Sequence, residues 1–208
     1  MALVSSMDAQ KIADAIAEAE RSTSGEIVAV IAPSSGSHVY AAFIWPALIA
    51  LVVPLPFIYW PLWPIQTIYE IQLAAFAALT LLLLLVRPLR FAVVPRSLKR
   101  QVAHRRALEQ FLVQNLHTTP GRTGVLIFVS VDERYAEIIA DPDIARYVGN
   151  DTWRAIVDDL TARIGAGDPI TGFLNAIRAI AKPLATHFPP GNHPRDSLPN
   201  HLIVLPPD

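Results

Sequence analysis

The stretch Tyr40–Trp60, YAAFIWPALIALVVPLPFIYW, and the stretch Gln72–Val86, QLAAFAALTLLLLLV, decide how the rest of the chain is read. No Asp, Glu, Lys or Arg stands between Glu26 and Glu70. As a helix the first stretch is long enough to cross roughly 30 Å of hydrocarbon, and the second, with the turn before it, can cross again. The connector Pro61–Ile65 is short and stiff, and Tyr59, Trp60, Trp63 and Tyr69 cluster around it as an interfacial aromatic belt would. The simplest expectation is a transmembrane hairpin over residues 38–86, with crossings at about 40–60 and 66–86. Pro46, Pro54 and Pro56 each remove a backbone donor, which predicts a kinked first crossing. A re-entrant loop is the alternative. A buried hairpin of a soluble fold is the weaker reading, because a chain of this size has little with which to cover so much leucine.

Working outward, the charges set the orientation. Arg87, Arg90, Arg96, Lys99, Arg100, Arg105 and Arg106 follow the second crossing before the first acid, Glu109. The connector is uncharged, so the Lys/Arg bias puts the basic flank in the cytoplasm and predicts a multi-pass protein of the inner membrane with both soluble flanks inside. Arg87, Arg90, Arg96, Lys99 and Arg100 are then the candidate lipid-surface residues, since juxtamembrane cations attract anionic headgroups. Nucleic acid is set aside as a partner: the run lacks interleaved aromatics, and the net charge of the chain is −1. With 52% apolar and 17% charged residues, the whole chain is more apolar than an ordinary globular protein. It has no cysteine, which removes disulfides, thiolate metal sites and cysteine nucleophiles together. The N-terminal residues carry no cleavable signal pattern, so no processing is expected.

The flanks alternate between helical and strand patterns. Ser5–Arg21 places Ile12, Ile16 and Ala19 on one face, with capping-box spacing between Ser5 and Asp8. Glu26–Ala32 (EIVAVIA) and Gly124–Val131 (GVLIFVSV) are short apolar runs that suit strands covered on both faces, as in a parallel sheet. Arg134–Ala140 is a third strand, joined to the second by a tight turn at Asp132 and Glu133. Ser97–His117 reads as a helix with an apolar stripe of Leu98, Val102, Leu108, Leu112 and Leu116, followed by a turn containing Pro120 and Gly121. Two more helices are expected at about Asp151–Ile164 and Ile170–Thr186. Residues 191–208 form a Pro- and His-rich tail that ends in the apolar run Leu202–Leu205. Strand, inserted hairpin, helix and strand imply a parallel crossover. The predicted fold is therefore α/β: a small mixed sheet of three or four strands packed with helices, built from residues 1–37 and 87–190 and interrupted by the hairpin.

These segments resemble the TPM domain, a family found in a thylakoid-lumen protein linked to photosystem II repair and in many bacterial envelope proteins. The resemblance rests on Ala19–Ala32 (AERSTSGEIVAVIA) and Arg122–Asp141 (RTGVLIFVSVDERYAEIIAD), continued by Trp153–Ile164 and Gly172–Ile180. It is nearest to a bacterial membrane-anchored branch with a transmembrane hairpin after the first strand. The matching motifs are turns and packing positions, so they speak for the fold more than for chemistry. The family often carries a G-x-G turn after the third strand, where this chain has Ala140-Asp-Pro-Asp-Ile144.

The resemblance brings two chemistries to weigh, because some members are described as acid phosphatases and related domains are reported to bind calcium. Asp141-Pro-Asp143 has the D-x-D spacing of aspartate-nucleophile phosphatases, but a matching magnesium acid and lysine clamp do not stand out. Asp141 and Asp143 read better as caps of a helix starting near Ile144. Asp132 and Glu133 are the candidate ligands for calcium or magnesium, since hard cations prefer clustered carboxylates. Parallel first and second strands would put this pair at the carboxyl edge of the sheet, where ligands of open α/β sheets bind, with Asp141 at the opposite edge. The six histidines show no ligand spacing. The leading expectation is a non-catalytic module that binds a membrane or envelope protein partner or helps maintain a membrane complex. A phosphatase acting on small phosphoesters is the alternative.

Overall fold

The structure is a computed structural model that describes residues 4–59, 63–119, 121–190 and 201–206. Trp60, the Pro61–Leu62 part of the connector, Pro120 and most of the tail, with His193, lie outside the described residues. In chain order the elements are α1 (Ser6–Glu20), β1 (Glu26–Ala32), α2 (Ala41–Val52), α3 (Leu55–Tyr59), α4 (Ile65–Leu85), α5 (Arg87–Val93), α6 (Arg96–Val113), β2 (Gly124–Ser130), β3 (Tyr135–Ala140), α7 (Pro142–Tyr147), α8 (Asn150–Gly165), α9 (Pro169–His187) and β4 (Leu202–Val204), with a 3₁₀ turn at Leu116–Thr118. The chain divides into two units, Met1–Ser35 with Arg100–Asp208, and Gly36–Lys99.

The first unit is α/β, with a mixed sheet ordered β3-β2-β1-β4. β1 and β2 run parallel in a register from Glu26↔Gly124 to Ala32↔Ser130, and β3 returns antiparallel along β2. Both central strands are β-branched runs buried along nearly their whole length, as a sheet covered on both faces requires. On one face Ile27, Ala29, Ile31, Val125, Ile127 and Val129 pack with Ile12 and Ile16 of α1, Leu160 of α8, and Phe173 and Ile177 of α9. On the other, Val28, Val30, Leu126 and Phe128 meet Ala107 and Phe111 of α6 and Leu116. Phe128 and Phe173 are fully buried, each contributing about 1.5–3 kcal/mol by leaving water.

The turn motifs act as fasteners. Ser5 caps α1 by accepting the Asp8 N–H, as the spacing predicts. In the Thr23-Ser24-Gly25 break the Thr23 hydroxyl donates to the Phe188 carbonyl at 2.7 Å, and the Ser24 N–H donates to the same oxygen at 2.9 Å. The Glu20 carboxylate accepts the Ile27 N–H at 2.8 Å, tying the end of α1 to the start of β1. Gly124 opens β2 because a Cβ there would stand 2.7 Å from the Leu116 carbonyl oxygen. The run Leu202–Leu205, expected in the tail, contributes β4, which pairs parallel with β1 at Ala29↔Leu202 to Ile31↔Val204.

One expectation is corrected. The stripe assigned to α6 is the wrong face: Ala103, Ala107, Gln110 and Phe111 are buried, while Leu98, Leu108 and Leu112 are exposed. The strand side chains, Phe128 above all, already fill the interlayer space, so the helix approaches through its alanines. The first limb, expected over 40–60 as a helix kinked by its prolines, consists of α2 and α3 with a turn at Val53–Pro54, where a backbone donor is missing, while Pro46 lies inside α2.

The unit Gly36–Lys99 packs α2 against α4. The buried residues of α2 are small or ring-closed, Ala41, Ala42, Pro46 and Ala50, three of them at a spacing of four, which lets two backbones approach closely. Its large residues, Phe43, Ile44, Trp45, Leu48, Leu51 and Val52, are exposed. On α4 Leu83 is buried, while Leu73, Leu81, Leu82, Leu84 and Leu85 are exposed. Among the described residues, α4 is the one helix long and apolar enough to cross a membrane.

Candidate functional site

Because β1 and β2 are parallel and in register, their carboxyl ends share one edge of the sheet. The chain leaves β1 through Pro33, Ser34 and Ser35, and leaves β2 through Val131, Asp132, Glu133 and Arg134. The two exits are laced together: Val131 N–H donates to the Ala32 carbonyl and Asp132 N–H to the Pro33 carbonyl, both at 3.0 Å. Glu133 is half-buried, and its two carboxylate oxygens accept the Ser35 N–H at 3.2 and 3.1 Å. The Ser130 hydroxyl donates to Glu133 Oε2 at 2.5 Å and accepts from the Ser35 hydroxyl at 2.7 Å. Ser34, Ser35 and Ser130 are buried, so the cluster is a buried polar network completed by one carboxylate. Asp132 beside it is exposed, and Arg134 closes the turn with a left-handed backbone at φ 49°.

Sequence reasoning placed Asp132 and Glu133 at this edge but missed the serines. The available signal was Ser130, a polar residue closing an otherwise apolar strand, opposite Ser34-Ser35 after the other strand. The arrangement can hold the β2–β3 turn rigidly against the β1 exit and can present an exposed carboxylate, Asp132, next to it. Among the described residues no three His, Asp or Glu side chains converge at a spacing that would hold a metal ion.

Asp141 sits at the opposite edge. It occupies the cap position of α7 without a side-chain capping bond. Its carboxylate instead accepts the Gly124 N–H at 3.3 Å, while its own N–H donates to the Gly124 carbonyl at 3.0 Å, so it fixes the start of β2. Asp143 pairs loosely with Arg146 at 3.7 Å and Asp151 with Arg154 at 3.8 Å, each within one helical turn. A second polar cluster, unforeseen in the sequence, joins α6 to β3. His104 Nδ1 lies 2.9 Å from both Glu137 oxygens, and the Tyr135 hydroxyl donates to Glu137 Oε2 at 2.9 Å. An ionised carboxylate only accepts, so the Nδ1 of His104 carries the proton here. Burial, and then the charge of Glu137, push the Tyr135 phenol well above its ordinary range.

The basic run falls in both units, Arg100 and the residues after it in the α/β unit and the rest in the other. Within Gly36–Lys99 it organises around Phe91, which is buried on the short helix α5. The Arg87 guanidinium lies 5.6 Å from the Phe91 ring centroid, and Lys99 Nζ donates to the Phe91 carbonyl at 2.9 Å near the end of α5. The buried His38 ring meets Phe91 edge-on at 5.1 Å, and Tyr40 packs edge-on against His38 at 6.0 Å. Arg90 is half-buried and its Nε has no hydrogen-bond partner among the described residues, whereas Arg96 is exposed.

Comparison with known proteins gives a family match over part of the chain and a likeness of fold. Residues 88–182 match the family model described as the TPM domain. The NMR structure of the BA42 protein from the psychrophilic bacterium Bizionia argentinensis is similar, with a TM-score of 0.60 at 19% sequence identity over 97% of this chain and 94% of that one. At that identity the likeness is one of fold. No curated protein matches the chain.

Proposed function

We propose that this chain is a membrane-anchored TPM-domain protein, held in a bacterial inner membrane by the unit Gly36–Lys99, whose α/β unit is a non-catalytic module for a membrane or envelope protein partner. The carrying observation is the inverted burial of α2 in Gly36–Lys99, where small residues face inward and leucine, tryptophan and phenylalanine face outward, with α4 exposing five leucines. In water such a surface would expose far more apolar area than a soluble unit tolerates. Facing acyl chains it has no such penalty, and close packing on small residues is how membrane helices associate. α4 crosses in one pass. The first limb enters as α2, whose 12 residues reach only about 18 Å, and completes its passage through α3 after the break at Pro54.

The Lys/Arg bias supports both segments of the α/β unit being cytoplasmic. Arg87, Arg90, Arg96 and Lys99 then meet the headgroups of the inner leaflet, with α5 as an interfacial helix. The serine–Glu133 cluster stiffens the carboxyl edge, and that edge, with Asp132 displayed on it, is the surface we assign to the protein partner. A hard cation arriving there would meet the carboxylates of Asp132 and Glu133, the latter accepting from Ser35 and Ser130.

Two measurements test this. Membranes from cells producing the full chain, washed in alkaline carbonate, should retain it until detergent is added; release by carbonate alone would overturn the anchor. The detergent-purified chain, given p-nitrophenyl phosphate with calcium or magnesium, should show no turnover above that of an Asp132→Asn, Glu133→Gln variant. Turnover abolished in that variant would replace the binding module by a phosphatase.

A further inference from the structure

The helix α6 presents a face that the fold does not use. Leu98, Leu108, Leu112 and Val113 are 38%, 42%, 57% and 64% exposed, on the side opposite the buried Ala103, Ala107 and Phe111. At 100° per residue Arg105, Leu108 and Leu112 fall within one narrow arc of that outer side. The helix also carries Arg96, Lys99, Arg100, Arg105 and Arg106 against a single acid, Glu109, which lies 3.4 Å from Arg106. Leucines turned out of a core, interleaved with cations, mark a surface that is covered by something.

Three occupants could cover such a face. Water alone leaves the leucine face unexplained. A second copy of the chain, related by a two-fold axis, would bring the same guanidinium groups against each other, and like charges in an apolar contact are strongly unfavourable. An anionic lipid surface satisfies both features at once: leucine enters the acyl boundary, and arginine reaches back along its own stem to the phosphates. Each cation near such a surface contributes roughly 1 kcal/mol of attraction.

We infer that the outer face of α6, through Arg105, Leu108, Leu112 and Val113, docks on an anionic lipid surface. This inference rests on the membrane reading of Gly36–Lys99, which supplies the nearby bilayer, since only Val86 separates α4 from α5 and only Val94 and Pro95 separate α5 from α6. It assigns α6 two tasks, closing one face of the sheet through its alanines and attaching the α/β unit to lipid through its leucines.

The test uses the full chain and its lack of cysteine, which makes every introduced thiol unique. Leu112→Cys, Leu81→Cys and Asp151→Cys are labelled separately with a polarity-sensitive fluorophore. Each is reconstituted into vesicles of brominated phosphatidylcholine, with or without a minority of phosphatidylglycerol. The expected result is quenching at Leu112 of about twofold or more in the anionic vesicles. It should fall toward the Asp151 level in phosphatidylcholine alone and in the Arg105→Gln, Arg106→Gln background. Strong quenching at Leu81 with none at Leu112 overturns the docking face and leaves the anchor standing. No quenching at either position overturns the anchor itself. Quenching at Leu112 that ignores lipid charge, or shielding that instead follows protein concentration, overturns the anionic-lipid assignment, the latter in favour of a second copy.

Discussion

The two units solve opposite packing problems with similar residues. In the α/β unit the large side chains are inside: Phe128, Phe173, Ile12, Ile16 and Leu160 are all fully buried. In Gly36–Lys99 the buried residues of α2 are Ala41, Ala42, Pro46 and Ala50, and apart from Leu83 and Phe91 most large side chains are outside, with Leu51, Leu81 and Leu85 at 68%, 56% and 74% exposure. Composition separates the units in charge and leucine content, with Glu70 the one acid of Gly36–Lys99, but it does not show which side chains face inward. On the proposed membrane reading, what differs is the medium. Burial of large apolar groups drives folding in water, whereas in lipid that drive is absent and close backbone approach takes over.

Mutations can break this comparison, and the largest effect belongs to the water-driven core. Phe173→Ala should lower the stability of the α/β unit by about 3–5 kcal/mol, read as a fall in its thermal midpoint, because the fully buried ring would leave a cavity. A drop as small as that of a surface substitution would deny the unit a conventional core. Next comes a matched pair of exposed apolar positions. Leu81→Lys should disfavour membrane insertion by about 2.5–3.5 kcal/mol, whereas Met7→Lys on the outer side of α1, 72% exposed, should leave the membrane-bound fraction unchanged. Equal tolerance at the two sites would erase the distinction between the units.

Smaller effects sharpen the account. Gly124→Ala forces a Cβ against the Leu116 carbonyl, and a loss of about 1–3 kcal/mol in denaturant unfolding is expected. No loss would mean that the Leu116 turn moves freely away from β2. The smallest effect is with pH. Hydrogen bonds from the Thr171 hydroxyl and N–H hold the Asp168 carboxyl below its ordinary value of 3.8, and Lys11 and Ser5 do the same for Asp8. Groups with lowered folded-state values contribute fully above the ordinary value, and the contribution fades as pH falls below it through the lowered one. Acidification should therefore destabilise the α/β unit slightly in that range, less so in Asp168→Asn. Gly36–Lys99, whose one acid is Glu70, should stay flat.

Much of the fold could be read from the chain. Glu26–Ala32 and Gly124–Ser130 announce themselves as β-branched runs without polar alternation, and Ser5 with Asp8 marks the start of α1 to the residue. The face of α6 could not be read that way. Its leucines and its alanines both recur at helical spacing, and the choice between them depends on how much room Phe128 leaves above the sheet. The apolar run that forms β4 is visible in sequence, but its place beside β1 is not, because that partner lies some 170 positions away. At the candidate site Asp132 and Glu133 were legible as the end of a strand. The bonds from Ser35 and Ser130 to Glu133 were not, since they exist only once β1 and β2 are in register.

The inverted unit is tested most directly by single-cysteine accessibility along α4 in sealed membrane vesicles. Cysteine placed at Leu73, Ala77 or Leu81 should stay unreactive toward a membrane-impermeant maleimide until detergent is added, while cysteine at Met7 reacts whenever its side of the membrane is opened to reagent. Labelling at Leu81 in intact vesicles, as fast as at Met7 under the same access, would contradict a bilayer around Gly36–Lys99 and with it the anchor.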